Sequence, residues 1–141
     1  MVANEAILAL KHYRGEPVRF RMVTEVPKSL DDKIKKGIDA IYENELFDAP
    51  GPPPKYIISE VKANTKNKPI FNALNKLGKT KYGGKQMSKS WIRFNINKLS
   101  IDLRNDILIN GYDPIVTGVN MDGTIQSMTV IDKSLNKLME I

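Results

Sequence analysis

The pattern of apolar and polar residues predicts a chain that begins with a helix and continues into three strands. Residues 3–14 place their apolar side chains on one side, as an amphipathic helix does. Residues 17–23 alternate with the period of a half-buried strand, and residues 38–44 and 56–64 are typical of two further strands. The four prolines between these last two strands cannot pair within a sheet, so we expect a loop that joins an antiparallel hairpin.

The second half of the chain predicts helices followed by strands. A short helix is expected at 69–77, and a longer one from Gln86 onward, running as far as Asn110-Gly111. Two strands are expected around the turn signal Asp122-Gly123, and the last nine residues predict a short helix or a tail. This order indicates a single α/β (α+β) domain over residues 1–141, with a mixed central sheet flanked by helices.

Composition narrows the chemistry available to the chain. There is no cysteine and only one histidine, His12, which excludes thiolate metal sites, cysteine nucleophiles and hydrolases that need two histidines. Any catalysis must therefore use carboxylates, lysines and hydroxyls. No apolar run approaches the ~20 residues of a membrane-spanning helix, and no leader is evident, so we expect no membrane anchor.

Positive charge is concentrated in one segment. The net charge is +6, and no acidic residue lies between Glu60 and Asp102, whereas that interval holds ten lysines and arginines. A solvated lysine-rich face is a common alternative. The complete absence of acids over this stretch favours binding of a polyanion, because each neutralised phosphate releases condensed counterions. The candidates for contact with nucleic acid are Lys66, Lys79, Lys81, Tyr82, Lys85 and Lys89.

The strand YIISEVKAN carries an acid and a base among apolar residues. Glu60 and Lys62 share one face of an extended chain, ~7 Å apart. The predicted hairpin brings Asp39 of the preceding strand to within ~5 Å of this face. Asp39 and Glu60, with the adjacent carbonyl of Val61, form a hard-oxygen set suited to Mg²⁺ or Mn²⁺. An ion pair at a sheet edge explains the same residues without any function.

Three segments together resemble a known nuclease superfamily. The segments GIDAIYEN, YIISEVKAN and LGKTKYGGKQMSKSWI, within residues 37–95, are similar to the restriction-endonuclease-like PD-(D/E)xK nucleases. They resemble in particular the C-terminal nuclease domains of bacterial polymorphic and contact-dependent growth-inhibition toxins. Ile38 stands where the superfamily often has a proline.

The resemblance implies a restriction-endonuclease-like core and roles for individual residues. Asp39 and Glu60 resemble the metal-binding acids, Lys62 the catalytic lysine and Gln86 a glutamine near the site, while Glu5 is the candidate for an additional glutamate from the first helix. The expected metal is Mg²⁺ or Mn²⁺, with Zn²⁺ as an alternative. Alone, the acid-x-lysine pattern is weak, whereas the Gln-Met-Ser-x-x-Trp pattern is more specific.

The same resemblance implies a biological setting. It predicts a metal-dependent endonuclease that acts on DNA, or alternatively an RNase that cleaves tRNA, delivered into the cytoplasm of a competitor cell as part of a larger toxin. Such a toxin needs a cognate immunity protein. A nucleic-acid-binding module without catalysis is the alternative from the charge pattern alone.

Overall fold

The computed structural model describes residues 2–23, 38–66, 68–69, 71–81 and 83–141. The helices are α1 (Val2–Leu8), α2 (Lys89–Ile96) and α3 (Ile101–Asn110), with a short 3₁₀ helix at Ala73–Lys76. The strands are β1 (His12–Tyr13), β2 (Glu16–Pro17), β3 (Phe20–Met22), β4 (Ala40–Asn44), β5 (Tyr56–Ala63), β6 (Tyr112–Val119), β7 (Ile125–Ile131) and β8 (Lys137–Glu140).

A six-stranded mixed sheet organises these elements. Its strands lie in the order β3-β4-β5-β6-β7-β8, while β1 and β2 form a separate two-stranded hairpin. All neighbours in the large sheet are antiparallel except β5 and β6, which are parallel. A parallel pair needs a crossover, and the segment that carries α2 and α3 provides it. The predicted mixed α+β architecture and the predicted β4–β5 hairpin are both confirmed.

The sheet is covered on both faces, and alternate residues of β5 serve different cores. Ile58 belongs to a cluster with Trp91, Ile92 and Ile107, so α2 and α3 pack on this face. Ile57 belongs to the opposite cluster, which α1 and the β1–β2 hairpin cover. Burial on both faces explains why β5 begins with three consecutive large apolar residues, Tyr56, Ile57 and Ile58. Glu60 and Lys62, two and four residues beyond Ile58, therefore lie on the face that α2 and α3 cover.

The predicted long helix is two helices, because a second cap interrupts it. The Ser88 side chain accepts a hydrogen bond from the Trp91 N–H at the start of α2, and the Ser100 side chain accepts one from the Leu103 N–H at the start of α3. A serine that accepts from the first turn stabilises a new helix start. Gly111, at φ 84°, ends α3 where the prediction expected the stop.

Three other predicted elements differ from those observed. The first helix ends at Leu8 rather than near residue 14, because Arg14 and Gly15 adopt positive φ and turn the chain into the β1–β2 hairpin. The short helix predicted at 69–77 is limited to Ala73–Lys76. The C-terminal segment forms strand β8, not a helix, and pairs with β7. In the part of the chain that the structure describes, no helix has the length and apolar character that crossing a bilayer requires.

Candidate active site

Pairing between β4 and β5 brings two carboxylates together. Ala40 is paired with Ser59, so Asp39, one residue before β4, lies opposite Glu60. The Val61 N–H donates a hydrogen bond to Asp39 Oδ2 at 2.8 Å. This contact fixes the Asp39 side chain against β5, as the hairpin prediction required. Val61 contacts Asp39 through its N–H, and the predicted role of its carbonyl as a metal ligand stays a prediction.

Glu60 is a buried acid with unused hydrogen-bonding capacity. It is 5% exposed, and its Oε1 lies 3.3 Å from Lys62 Nζ. Its other oxygen, Oε2, is buried and accepts no hydrogen bond from a described residue. An unsatisfied buried carboxylate oxygen costs free energy, so its presence needs an explanation. Burial, with the neighbouring Asp39 carboxylate acting in the same direction, raises the pKa of Glu60 to about 7.

Asp39 also has a raised pKa, although it is more exposed than Glu60. The residue as a whole is exposed, but neighbouring protein removes water from its carboxyl group, and this desolvation raises its pKa. The Val61 N–H and the Lys62 ammonium oppose that rise. Two carboxyl groups that face each other with raised pKa values hold a proton or a cation readily, because like charges at short range disfavour joint ionisation.

Lys62 joins the acids to the start of α2. Its Nζ donates to Gln86 Oε1 at 2.8 Å in addition to its ion pair with Glu60. Gln86 is itself held in place, since its N–H donates to the Gly78 carbonyl at 2.9 Å and the Gly78 N–H donates to Gln86 Oε1 at 3.3 Å. Asp39, Glu60, Lys62 and Gln86 thus form one connected cluster. Gly78 holds Gln86 in place through its backbone, a role that the sequence did not predict.

The lysine-rich segment between Gly78 and Gln86 forms a loop anchored on α2. Lys79 and Lys85 pair as an isolated antiparallel bridge. The Ser90 hydroxyl donates to the Gly83 carbonyl at 2.7 Å. A Cβ at Gly83 would lie 3.0 Å from the Trp91 Cα, so only glycine allows this close approach. The loop therefore presents its lysines from a fixed base beside the carboxylate cluster.

Most of the predicted nucleic-acid contacts lie on exposed positions. All five predicted lysines are exposed: Lys66, Lys79, Lys81, Lys85 and Lys89. Tyr82 lies outside the described residues, so its predicted role stays a prediction. Trp91 is buried in the core, whereas Phe94 is 43% exposed.

Two other acids, Glu43 and the predicted Glu5, lie apart from the cluster. Glu43 shares a strand face with Asp39 but is four residues away, about 13 Å along the strand, and pairs with Arg21 at 3.4 Å. Glu5 is exposed on α1, the helix that covers the opposite face of the sheet from Glu60.

The donor set fits a magnesium-like cation. Among the described residues, no group of three or more histidine, cysteine, aspartate or glutamate side chains comes together. Mg²⁺ is commonly held by one or two carboxylates, with water and substrate oxygens as the other ligands. Asp39 with Glu60 meets that requirement, and the partnerless Glu60 Oε2 supplies a free oxygen.

Comparison of the chain with protein-family models, with curated proteins and with solved structures finds no match.

Proposed function

We propose that the chain is a metal-dependent nuclease that hydrolyses phosphodiester bonds, with DNA as the favoured substrate and RNA as the alternative. The observation that carries this proposal is the buried Glu60 with its partnerless Oε2, set against Asp39 and held beside a lysine. Most buried carboxylate oxygens in proteins have a hydrogen-bond partner. A cation bound at Glu60 Oε2 would explain why this oxygen has no hydrogen-bond donor among the described residues.

Asp39 and Glu60 are the residues that would hold the cation. A divalent ion there would supply Lewis-acid polarisation of a phosphate oxygen. The protein contributes the fixed spacing of the two carboxylates, which the β4–β5 register and the Val61 N–H set before any substrate arrives. Such preorganisation avoids the cost of reorienting the groups during the reaction.

Lys62 would stabilise negative charge on the reacting phosphate. An ammonium has three N–H donors, and the contacts with Glu60 and Gln86 occupy two of them. The third remains for a phosphate oxygen or for the attacking water. Because Lys62 is already held as a hydrogen-bond donor, stabilisation of charge suits it better than removal of a proton. Gln86 is a positioning residue that keeps this donor aimed at the carboxylates.

The anchored basic loop would bind the substrate backbone. Its lysines lie next to the cluster without an acidic residue in the same stretch of sequence. Contacts of this kind attract phosphates of any sequence and weaken with salt. They therefore suit an enzyme that cleaves without strong sequence preference.

The proposed setting is a toxin domain used in competition between bacteria. This part rests on the resemblance of residues 37–95 to toxin nucleases. It implies delivery into a target cell as part of a larger protein and inhibition by an immunity protein. A basic site would favour an acidic inhibitor, because complementary charge accelerates association. Stoichiometric inhibition of cleavage by the product of an adjacent gene would test this.

Cleavage of plasmid DNA and of total RNA, in Mg²⁺, Mn²⁺ or Zn²⁺ with and without EDTA, tests the proposed activity. We expect metal-dependent cleavage that falls by about 10²-fold or more in Glu60→Gln and in Lys62→Ala. Lys11→Ala removes an equivalent charge from an exposed position outside the cluster and should retain activity. Far-UV circular dichroism would establish that each variant is folded. Failure of the wild type to cleave either substrate would contradict the proposal.

A nucleic-acid-binding module without catalysis is the second candidate. The observation that favours it is that only two carboxylates meet within the described part of the chain. It predicts salt-dependent binding without turnover, unchanged by Glu60→Gln.

A further inference from the structure

A cavity opens beside α2 on the same face of the sheet as Glu60. Its volume is about 730 Å³, within the usual range for small-molecule sites. Leu108 and Leu138, which are 43% and 50% exposed, form an apolar wall above a buried floor that includes Met87, and the half-buried Tyr112 adds an aromatic ring. The cavity therefore offers apolar and aromatic surface to a ligand of limited size.

Three cations line the same cavity. Lys89 and Arg93 lie one turn apart on α2, and Lys133 follows β7. All three are exposed, and none forms an ion pair with another residue in the described part of the chain. Their charges are thus available to a ligand.

The two acids that line the cavity leave it with a net positive charge, because Arg14 neutralises Asp113 and Asp132 alone opposes the three cations. Asp113 accepts hydrogen bonds from the Tyr13 hydroxyl and from the Arg14 guanidinium. Asp132 accepts from the Ser134 and Asn136 N–H groups within its own turn. The cavity consequently combines an apolar wall with a cationic rim, which is the chemistry of a nucleotide site.

The strand register places the cavity close to the carboxylate cluster. Glu60 is paired with Val116, and Val116 with Thr129, two residues before Ile131. Two strands across and two residues along correspond to about 12 Å between the Glu60 and Ile131 Cα atoms. A strand rises about 3.4 Å per nucleotide in a duplex and can extend further when it is unpaired, so at most about four nucleotides separate the two sites.

We infer that this cavity binds one unpaired nucleotide of the substrate strand, with its base against the apolar wall and Tyr112 and its phosphate on Lys89, Arg93 and Lys133. The inference rests on the proposed nuclease function for the identity of the ligand. A base inside an intact duplex cannot enter such a cavity, because it is stacked and paired. The cavity therefore favours single-stranded or locally opened substrate.

Binding measured in EDTA, where metal-dependent cleavage is absent, tests the cavity separately from catalysis. The probes are a single-stranded thymidine hexamer, the uridine hexamer and an abasic hexamer with the same backbone. With [methyl-¹³C]methionine protein, the base-containing hexamers should shift the Met87 methyl signal. They should leave Met121, which follows the end of β6 remote from the cavity, unmoved. The abasic hexamer should bind at least ten-fold more weakly.

Two cavity variants, each compared with a control variant outside the cavity, assign the binding to the cavity. Arg93→Ala combined with Lys133→Ala should weaken hexamer binding at least ten-fold and reduce the slope of log K against log salt by about 1.4. Lys11→Ala, a charge change outside the cavity, should reduce the hexamer affinity and the salt slope less than the double variant does. Leu138→Glu, at a 50% exposed position in the cavity wall, should abolish the Met87 shift, whereas Met121→Glu, at a 60% exposed position elsewhere, should not.

The outcomes separate this inference from the proposed activity. An unmoved Met87 signal, equal binding of the abasic hexamer, or a double variant no weaker than Lys11→Ala would overturn the cavity assignment even if the protein cleaves nucleic acid. The expected binding pattern in a protein that never cleaves would uphold the cavity and contradict the nuclease proposal.

Discussion

Two acids buried in neighbouring strands of the same sheet have opposite surroundings. Glu60 on β5 and Asp113 on β6 are 5% and 7% exposed, so burial does not distinguish them. Asp113 accepts from the Tyr13 hydroxyl at 2.6 Å, and Arg14 donates to both of its oxygens at 3.2 and 3.0 Å. Glu60 has a lysine at 3.3 Å on one oxygen, while the other meets no donor in the described part of the chain and the carboxyl group interacts with that of Asp39. Unmet bonding capacity, rather than burial, marks the acid that is available for chemistry.

The two clusters also differ in what their neighbours do to proton affinity. Beside Asp113, burial and the aspartate charge together raise the pKa of Tyr13, so the phenol keeps its proton and remains a donor. Beside Glu60, burial and the facing Asp39 raise the pKa of the acid itself. The first cluster is a satisfied structural tie between the β1–β2 hairpin and β6. In the second cluster, the Asp39 and Glu60 carboxylates repel each other, and a bound cation would relieve this repulsion.

Stability as a function of pH gives the largest predicted difference. Unfolded glutamate loses its proton near pH 4.5, whereas folded Glu60 keeps it to about pH 7. Between these values the folded state binds the extra proton, so the free energy of unfolding falls as pH rises. The gap corresponds to about 3 kcal/mol. Urea denaturation of the wild type in EDTA should show this loss relative to Glu60→Gln, and parallel curves for the two proteins would contradict it.

Amide substitution at the two acids should give effects of opposite sign. Asp113→Asn weakens charged hydrogen bonds to Tyr13 and Arg14, so we expect it to lower the free energy of unfolding by about 2 kcal/mol. Glu60→Gln should raise that free energy at pH 8, because it removes a charge that burial and the facing Asp39 carboxylate disfavour. Asp48→Asn, at an exposed site, is the neutral control. Equal destabilisation by the two substitutions would remove the distinction between the clusters.

Divalent cations should stabilise only the protein that retains the carboxylate pair. At a Mg²⁺ or Mn²⁺ concentration ten times the dissociation constant, binding to the folded state adds about 1.4 kcal/mol. We expect this increase in thermal stability for the wild type and for Asp113→Asn, but not for Glu60→Gln or Asp39→Asn. A response that survives in Glu60→Gln would place the cation elsewhere.

The site was more predictable from sequence than the ends of the elements were. Glu60 and Lys62 stand out because charged residues inside an apolar strand are rare, and a proline-rich loop between two strands indicates which neighbour pairs with them. The register that sets Asp39 opposite Glu60 follows from that hairpin. The partnerless Glu60 Oε2 could not be predicted, since it depends on the packing of every group around it.

Errors arose where a local turn or a long-range contact overrides the apolar pattern. The apolar residues of the first helix continue past Leu8, but positive φ at Arg14 and Gly15 redirects the chain into a hairpin. The pattern also runs through Ser100, whose cap divides the long helix. The cavity brings Arg93 and Lys133 together from distant parts of the sequence, and only the order of the strands reveals that proximity.

The single parallel pairing in the sheet governs where the positive charge is carried. After β5 the chain must return to the end of the sheet where β5 began before β6 can start alongside it, so residues 64–111 have to pass over one face. Nine of the ten bases of the acid-free segment belong to this return path. Were β5 and β6 joined by a tight reverse turn, no such path would exist. Strand direction thus converts a separation of charge along the chain into an electropositive side of the molecule, the one that bears Glu60.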